Sequence, residues 1–164
     1  MDERAITIGS GYRSISEGNN HAIADNKIVR SSNRDGEYNI YMYDLTKNEE
    51  RPICTNGSSR FPAIYGDKIV WEDYRNGNAD IYMYDLATGV EKPICVALGD
   101  QTRPSIFGDK IVWEDYRNYT GDPYKKGDIY MFDFASKKEI PICIDPSTQD
   151  LCGIYGDKIV WRDY

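Results

Sequence analysis

The sequence lacks the residues that mark several common classes of active site. His21 is its one histidine and no Cys-x-x-Cys pair occurs, so the usual ligand spacing of a zinc site is missing. There is no G-x-S-x-G stretch, and a single histidine provides only one base for a Ser-His-Asp or Cys-His arrangement. No phosphate-binding GxxxxGK[ST] loop is present either. We therefore expect no metal, no cofactor and no enzymatic activity.

Positive charge and long apolar runs are also scarce. The 20 Lys and Arg residues face 27 Asp and Glu residues, which gives a net charge of −7. This balance argues against nucleic acid, because Lys and Arg supply most of the affinity for phosphates. No segment approaches the roughly 20 apolar residues of a membrane span, so we expect no membrane insertion. The charged N-terminal segment shows no signal peptide.

What the sequence does contain is a globular composition and a repeat. Its 164 residues fit one domain, and 40% hydrophobic residues are too many for a disordered chain. The segment GDKIVWEDYRN starts at Gly66 and again at Gly108, and GDKIVWRDY closes the chain from Gly156. A weaker copy starts at Asp25. The isoleucines of KIV lie 41, 42 and 48 residues apart, and the longest spacing contains an insertion at residues 119–126.

Each copy is typical of four short strands joined by tight turns. In the second copy the strands are PAIYG, KIVWEDY, DIYMYDL and EKPIC, all rich in Ile, Val, Tyr or Trp. Gly, Asn and Asp residues separate these runs, as hairpin turns require. Since no segment shows a helical period, the sequence predicts an all-β protein. A repeated four-stranded antiparallel unit of about 40–45 residues is typical of a β-propeller blade.

The units from Gly66 and Gly108 also resemble the TolB-like, WD-type propeller repeats of archaeal and bacterial cell-surface proteins. The resemblance covers residues 22–164, and its motif is specific for the repeat rather than for a function. It implies an extracellular or cell-surface location. It also implies that Asp44, Asp85 and Asp133, at the ends of the third strands, have a structural role like the Asp of WD-type repeats. The same residues are expected to accept hydrogen bonds from the amides of the next turn.

The repeat predicts a single propeller domain with repeats at about 22–61, 62–103 and 104–151. The fourth copy stops after two strands, and residues 1–20 contain two short β-like runs. We predict a composite fourth blade made from residues 1–20 and 152–164, which would close a four-bladed ring and remove its open edges. Two alternatives stay open: a homodimer that shares an eight-bladed ring, and a fragment of a longer array.

Three of the four cysteines occupy one position of the repeat. Cys54, Cys95 and Cys143 end successive fourth strands, so they belong to different blades and lie too far apart for disulfides. We expect them to be buried thiols between the sheets. Cys143 and Cys152 are the one pair for which a bond is worth testing.

The candidate ligand residues belong to the motif W-[ER]-D-Y after the second strand. One interpretation makes the Trp a packing residue between blades and the Asp an acceptor for a nearby turn. The other is a ring of aromatic and carboxylate groups at one end of the channel, suited to a sugar or a basic segment. Arg30 replaces the Trp in the first copy, so the ring would be asymmetric there. The candidate ligand-binding residues are Arg30, Trp71, Asp73, Trp113, Asp115, Trp161 and Asp163.

The loops after this motif are the expected partner surface. Residues 73–80 and 33–39 gather oxygen-bearing side chains around a glycine, but their spacing departs from a calcium loop and fits a tight hairpin. Loops over a rigid frame often bind partners, so we predict contact at residues 30–39 and at the insertion 119–126, which Lys125 and Lys126 make basic. The predicted function is a non-enzymatic scaffold or binding module for a protein or carbohydrate, present as a monomer or homodimer. The alternative is a carbohydrate-active hydrolase or lyase.

Overall fold

A computed structural model describes residues 21–119, 121 and 127–164, and these residues form antiparallel sheets without an α-helix. Blades 1 to 3 each contain four strands in chain order, and blade 4 contains two. The strands of blade 1 are β1 (His21–Ala24), β2 (Lys27–Ser32), β3 (Asn39–Asp44) and β4 (Glu49–Cys54). Blade 2 has β5 (Ser59–Tyr65), β6 (Lys68–Asp73), β7 (Asp80–Asp85) and β8 (Val90–Cys95).

Blade 3 has β9 (Gln101–Phe107), β10 (Lys110–Asp115), β11 (Asp128–Asp133) and β12 (Lys138–Cys143). Blade 4 has β13 (Gln149–Tyr155) and β14 (Lys158–Asp163). The predicted all-β propeller of four-stranded antiparallel blades is confirmed. The first strands of the blades pack in succession, β1 against β5, β5 against β9 and β9 against β13, and we call these four the inner strands.

Successive blades pack face to face through buried apolar side chains. Between blades 1 and 2, Val29 and Ile40 meet Ile69 and Trp71 in one core. The same positions recur between blades 2 and 3, where Val70 and Ile81 meet Ile111 and Trp113. Alternation along each strand sends one side chain to the previous blade and the next to the following blade. One strand pattern therefore fills both interfaces of a blade.

The aspartate at the end of each third strand caps the turn that follows, as the sequence predicts. Asp44 accepts the N–H of Thr46 at 2.9 Å, and Asp85 accepts that of Ala87 at 2.9 Å. Asp133 accepts the N–H of Ala135 at 2.8 Å. The backbone hydrogen bonds lower the pKa of all three carboxyls. The structural role assigned to these residues is thus visible as an Asx-type turn in every complete blade.

The two ends of the array differ in polarity. At the start, Arg30 stands where later blades have Trp and bonds Glu50 at 2.8 Å, while the Arg34 guanidinium lies 3.7 Å from the centre of the Tyr41 ring. At the other end, Val160 is 65% exposed, although Val70 and Val112 at the same position are fully buried. Residues 1–20, the proposed N-terminal half of the composite blade, lie outside the described residues. The composite blade therefore stays a prediction.

No helix among the described residues is long and apolar enough to cross a membrane.

Candidate functional site

Three inner strands share one backbone distortion at the same position of the repeat. Phe61, Arg103 and Leu151 have φ angles of 49°, 50° and 52°, in the left-handed region that residues other than glycine and asparagine rarely adopt. The pairing register of each inner strand with its neighbour shifts at this point. Such a β-bulge redirects the backbone N–H of the distorted residue away from the ladder. We refer to Phe61, Arg103 and Leu151 as the bulge residues.

The redirected N–H groups reach the preceding blade. The N–H of Arg103 donates to the carboxylate of Glu72 at 3.1 Å, and the N–H of Leu151 donates to that of Glu114 at 2.7 Å. Both glutamates are 1% exposed, and the hydroxyl of the tyrosine two residues later donates to each at 3.2 Å. We call this contact the interblade glutamate bond. It joins blade 2 to blade 3 and blade 3 to blade 4.

The two glutamates differ in their cationic neighbours. Arg103 Nη1 lies 3.6 Å from Glu114 Oε1, so that carboxylate has a guanidinium beside it. Glu72 forms no ion pair with a described residue, and burial raises its pKa to about 7 despite the hydrogen bonds from Arg103 N–H and Tyr74. Burial also raises the pKa of Tyr74 to about 12. Burial therefore favours the protonated form of the Glu72 carboxyl compared with an exposed glutamate.

The bulge residues line a cavity between the inner strands. Its volume is about 620 Å³, and the side chains around it come from all four blades. Pro62, Pro104, Cys152 and His21 occupy one level of the wall, and small residues such as Ala63 and Gly153 leave the space open. The Arg103 side chain is 48% exposed here and His21 is exposed. A concave wall with a few polar groups is the usual form of a ligand site.

An aromatic series lies where the inner strands end. The rings of Tyr65 and Phe107 are 4.6 Å apart between centroids, and those of Phe107 and Tyr155 are 4.8 Å apart. Each ring comes from the last residue of an inner strand, and Ala24 occupies that place in blade 1. The aromatic series therefore runs through blades 2, 3 and 4, and blade 1 contributes no ring to it.

In blades 2 and 3, the tryptophan and aspartate of W-[ER]-D-Y lie between neighbouring blades rather than on the cavity wall. Trp71 Nε1 donates to Asp73 at 2.9 Å, and Trp113 Nε1 donates to Asp115 at 2.8 Å. All four side chains are fully buried. Arg75 and Arg117 close each network with hydrogen bonds to the same aspartates, at 2.7 and 2.6 Å for the shortest of them.

In blade 2 the network keeps Asp73 in the charged form by hydrogen bonding. Burial alone would raise the pKa of Asp73, but hydrogen bonds from Arg75, Trp71 and Asn56 lower it to about 2. Arg75 joins Asp73 to a second carboxylate, because its Nη1 also lies 2.6 Å from Glu91 on the outer strand β8. These contacts match the interpretation of the motif as a packing and turn-bonding element in blades 2 and 3.

The remaining predicted ligand residues are spread over the two ends of the array. Arg30 is paired with Glu50 on the face of blade 1 that points away from blade 2. Trp161 is 39% exposed on β14, and Asp163 accepts hydrogen bonds from Ser147 and Gln149. The structure therefore does not bring the seven residues together around one space, and their role as ligand groups stays a prediction.

The cysteines are free thiols. Cys54 and Cys95 are buried between blades as expected, and burial raises the pKa of Cys95 to about 12. Cys143 and Cys152, the pair singled out for a possible bond, are also free, and the expectation that Cys143 is buried is wrong because it is only partly buried. Cys152 lies inside β13 and lines the cavity, where burial raises its pKa to about 12.

The loops of the predicted partner surface are bonded internally where the structure describes them. In residues 73–80, the amides of Asn76 and Asn78 donate to the two oxygens of Asp80 at 2.7 and 3.0 Å. Within the described part of the chain, no cluster of His, Cys, Asp and Glu could hold a metal ion. In the insertion 119–126, residues 120 and 122–126, including Lys125 and Lys126, lie outside the described residues.

Few features of the sequence indicate the cavity. Pro62 and Pro104 follow two of the bulge residues and interrupt strand-forming sequence, and the motif glutamate is present in two copies but replaced by Ser31 and Arg162 in the others. A proline inside a strand is a known sign of a bulge. That this glutamate accepts a hydrogen bond from the next blade is visible only in the structure.

Comparison with known proteins shows a likeness of structure. No protein-family model matches the sequence, and no curated protein matches it. TolB from Acinetobacter baumannii has a TM-score of 0.65 at 21% identity, over 83% of this chain and 34% of that one. The β-propeller domain of the Trilobed protease from Pyrococcus furiosus has a TM-score of 0.62 at 20% identity, over 86% and 46%. An oligogalacturonate lyase in complex with manganese has a TM-score of 0.59 at 13% identity, over 83% and 42%.

This chain thus spans less than half the length of each of these proteins. The neighbours include a TolB as well as a protease domain and a lyase, so they do not separate binding from catalysis. At identities this low the likeness concerns the fold alone. The chain has the fold of a TolB-like β-propeller.

Proposed function

We propose that this chain is a non-enzymatic binding module of a surface or exported protein, and that it holds a protein or carbohydrate partner at the cavity between its inner strands. The observation that carries the proposal is the cavity of about 620 Å³ itself, whose wall combines proline and small residues with the half-exposed Arg103. Such sites bind by shape and by a few polar groups. Interblade packing and the glutamate bonds hold the wall in place.

The charge of the wall supports a partner with acidic groups. The whole chain carries a net charge of −7, yet Arg103 and His21 line the cavity. The Arg60 guanidinium lies 4.4 Å from the centre of the Tyr38 ring and 5.7 Å from that of Tyr74. A half-exposed guanidinium such as that of Arg103 attracts anionic groups on an otherwise acidic protein.

A carbohydrate-active enzyme is the second candidate, and Glu72 is the observation in its favour. A buried carboxyl with a pKa near 7 is typical of a general acid. However, Glu72 is 1% exposed, and its two oxygens already accept from Arg103 N–H and from Tyr74. A substrate would have to displace both bonds, so binding without catalysis is the better explanation.

Peptide and glycan arrays probed with the wild-type chain, the Arg103→Ala variant and the Lys138→Ala variant test the proposal. Lys138 is exposed on β12, the outer strand of blade 3, so its loss is a control for charge alone. We expect array ligands that bind the wild type and Lys138→Ala but at least tenfold more weakly to Arg103→Ala. Ligands indifferent to Arg103, or depolymerisation of a polysaccharide by the wild type, would contradict it. Light scattering on the same samples gives the mass, which is 18.8 kDa for a monomer and twice that for a homodimer.

A further inference from the structure

Among the described residues, no interblade glutamate bond forms at the first interface. Between blades 2 and 3 the acceptor is Glu72, and between blades 3 and 4 it is Glu114. The equivalent residue of blade 1 is Ser31, since Ser31 pairs with Ile40 as Glu72 pairs with Ile81. Serine is two carbons shorter than glutamate and has no carboxylate. The described residues therefore form two such bonds, and Ser31 does not supply the acceptor for a third.

The backbone donor of this bond is still in place at the first interface. Phe61 is the bulge residue of blade 2 and has a φ of 49°, within 3° of the values at Arg103 and Leu151. Its strand β5 packs against β2, which carries Ser31. The hydroxyl oxygen of Ser31 is buried, and no described residue forms a hydrogen bond with it. A buried hydroxyl without a partner costs free energy, so such groups usually meet a ligand or water.

Space and positive charge are present at the same interface. Phe61 and His21 both line the cavity of about 620 Å³, so the cavity reaches the bulge residue of blade 2. Arg60, next to Phe61 in the chain, places its guanidinium over Tyr38 of blade 1 and forms no ion pair with a described residue, and its charge also reaches Glu72. A guanidinium and a backbone N–H are the donors that proteins commonly offer to a carboxylate.

We propose that this position binds the side-chain carboxylate of a glutamate supplied by an acidic segment of a protein partner. The partner glutamate takes the place that Glu72 and Glu114 take at the other interfaces, with Phe61 N–H and the Ser31 hydroxyl as donors and Arg60 as the nearby cation. A peptide is favoured over a sugar acid because the chain fills the two equivalent positions with a glutamate from a β-strand. The proposal rests on the proposed binding function and specifies which chemistry the cavity recognises.

The first test measures binding of a capped tetrapeptide with the repeat sequence tryptophan-glutamate-aspartate-tyrosine by calorimetry. Its matched control has glutamine in place of glutamate. Loss of a charged acceptor from a site of this kind weakens binding by about tenfold or more, so we expect that ratio between the two peptides. Equal affinity of the two peptides, or binding of galacturonate with none of the peptide, would overturn the proposal.

The second test places the missing carboxylate on the chain. Ser31→Glu fills the position with the residue of the other copies, and we expect at least a tenfold loss of affinity for the glutamate peptide. Ser136→Glu makes the same charge change on an exposed turn of blade 3 and should leave the affinity unchanged. Should Ser31→Glu fold poorly, Arg60→Gln gives an independent reduction in affinity for the glutamate peptide.

The two proposals fail in different ways. Array ligands lost in Arg103→Ala but indifferent to Ser31→Glu and Arg60→Gln would leave the binding module standing and refute the glutamate site. A glutamate peptide that binds the wild type and loses affinity in Ser31→Glu supports both.

Discussion

Replacing Glu72 by glutamine should change the pH dependence of stability. The free energy of unfolding of the variant, compared with that of wild type, should be more favourable at pH 8 than at pH 5. The Glu72 carboxyl is buried between blades 2 and 3 and accepts from Arg103 N–H and the Tyr74 hydroxyl. Arg60 and Arg103 are the cations whose charge reaches it. Glutamine keeps the length and an acceptor oxygen for Arg103 N–H, so the main change is the loss of the titrating group.

The pKa of Glu72 fixes the sign and the size of this effect. Burial raises the pKa from an ordinary value of 4.5 to about 7 in the folded state. Between these values the folded chain holds a proton that the unfolded chain has released, so the contribution of Glu72 is present below pH 4.5 and is lost as the pH rises through 7. At about 1.4 kcal/mol for each pKa unit, the loss amounts to about 3 kcal/mol. Glutamine does not ionise, so the variant does not lose stability in this way.

Urea unfolding at pH 5 and pH 8, followed by tryptophan fluorescence, measures the effect. The difference in unfolding free energy between Glu72→Gln and wild type should move in favour of the variant by about 2–3 kcal/mol across this range. Glu49→Gln, which removes an exposed carboxylate of β4, is the matched control and should show no such movement. A difference that is the same at both pH values, or that favours wild type at pH 8, would refute the reasoning.

Three further results are expected. Trp113→Ala should lower the free energy of unfolding by about 3–5 kcal/mol, and Trp161→Ala should lower it by less than half as much. The reason is that the Trp113 indole is fully buried whereas that of Trp161 is 39% exposed. Equal losses for the two variants in urea unfolding would show that another segment covers β14. Asp73→Asn should lower the free energy of unfolding by about 3 kcal/mol at pH 7, since it breaks a buried charge network. Wild type should lose this stabilisation as the pH falls from 3.8 towards 2. Acid titration of the two proteins would reveal or exclude this trend. With Ellman's reagent at pH 8, native protein should react at Cys143 before Cys95, whose pKa burial raises to about 12, and denatured protein should show four thiols; a lower count would mean a disulfide.

The strands could be predicted from the sequence because the repeat presents each of them several times. In the run KIVWED and its equivalents, alternate side chains face the previous and the following blade, and the Gly-Asp turns before them fix where the strands begin. The structure places β6 at Lys68–Asp73 and β10 at Lys110–Asp115, within that motif. The aspartates that cap the third strands were also predictable, because Asp before a turn has few other uses.

The cavity could not be predicted, because its features are contacts between blades. Alternation along β6 shows that Trp71 and Glu72 face opposite ways, but not that one meets a buried aspartate and the other a bulge N–H of the next blade. The sequence prediction therefore placed the important irregularity of the first copy at Arg30. The structure draws attention to the next residue, Ser31, whose meaning depends on what Glu72 and Glu114 bond.

The most direct test of the account is the amide proton shift of Phe61 in the full chain, measured by nuclear magnetic resonance without any ligand. If the N–H groups of the bulge residues point to a carboxylate position, the Phe61 proton of wild type should lie upfield of those of Arg103 and Leu151, which donate to glutamates. Ser31→Glu should then move it downfield to their range, as expected for a charge-assisted hydrogen bond. A folded Ser31→Glu variant with an unchanged Phe61 resonance would contradict the account.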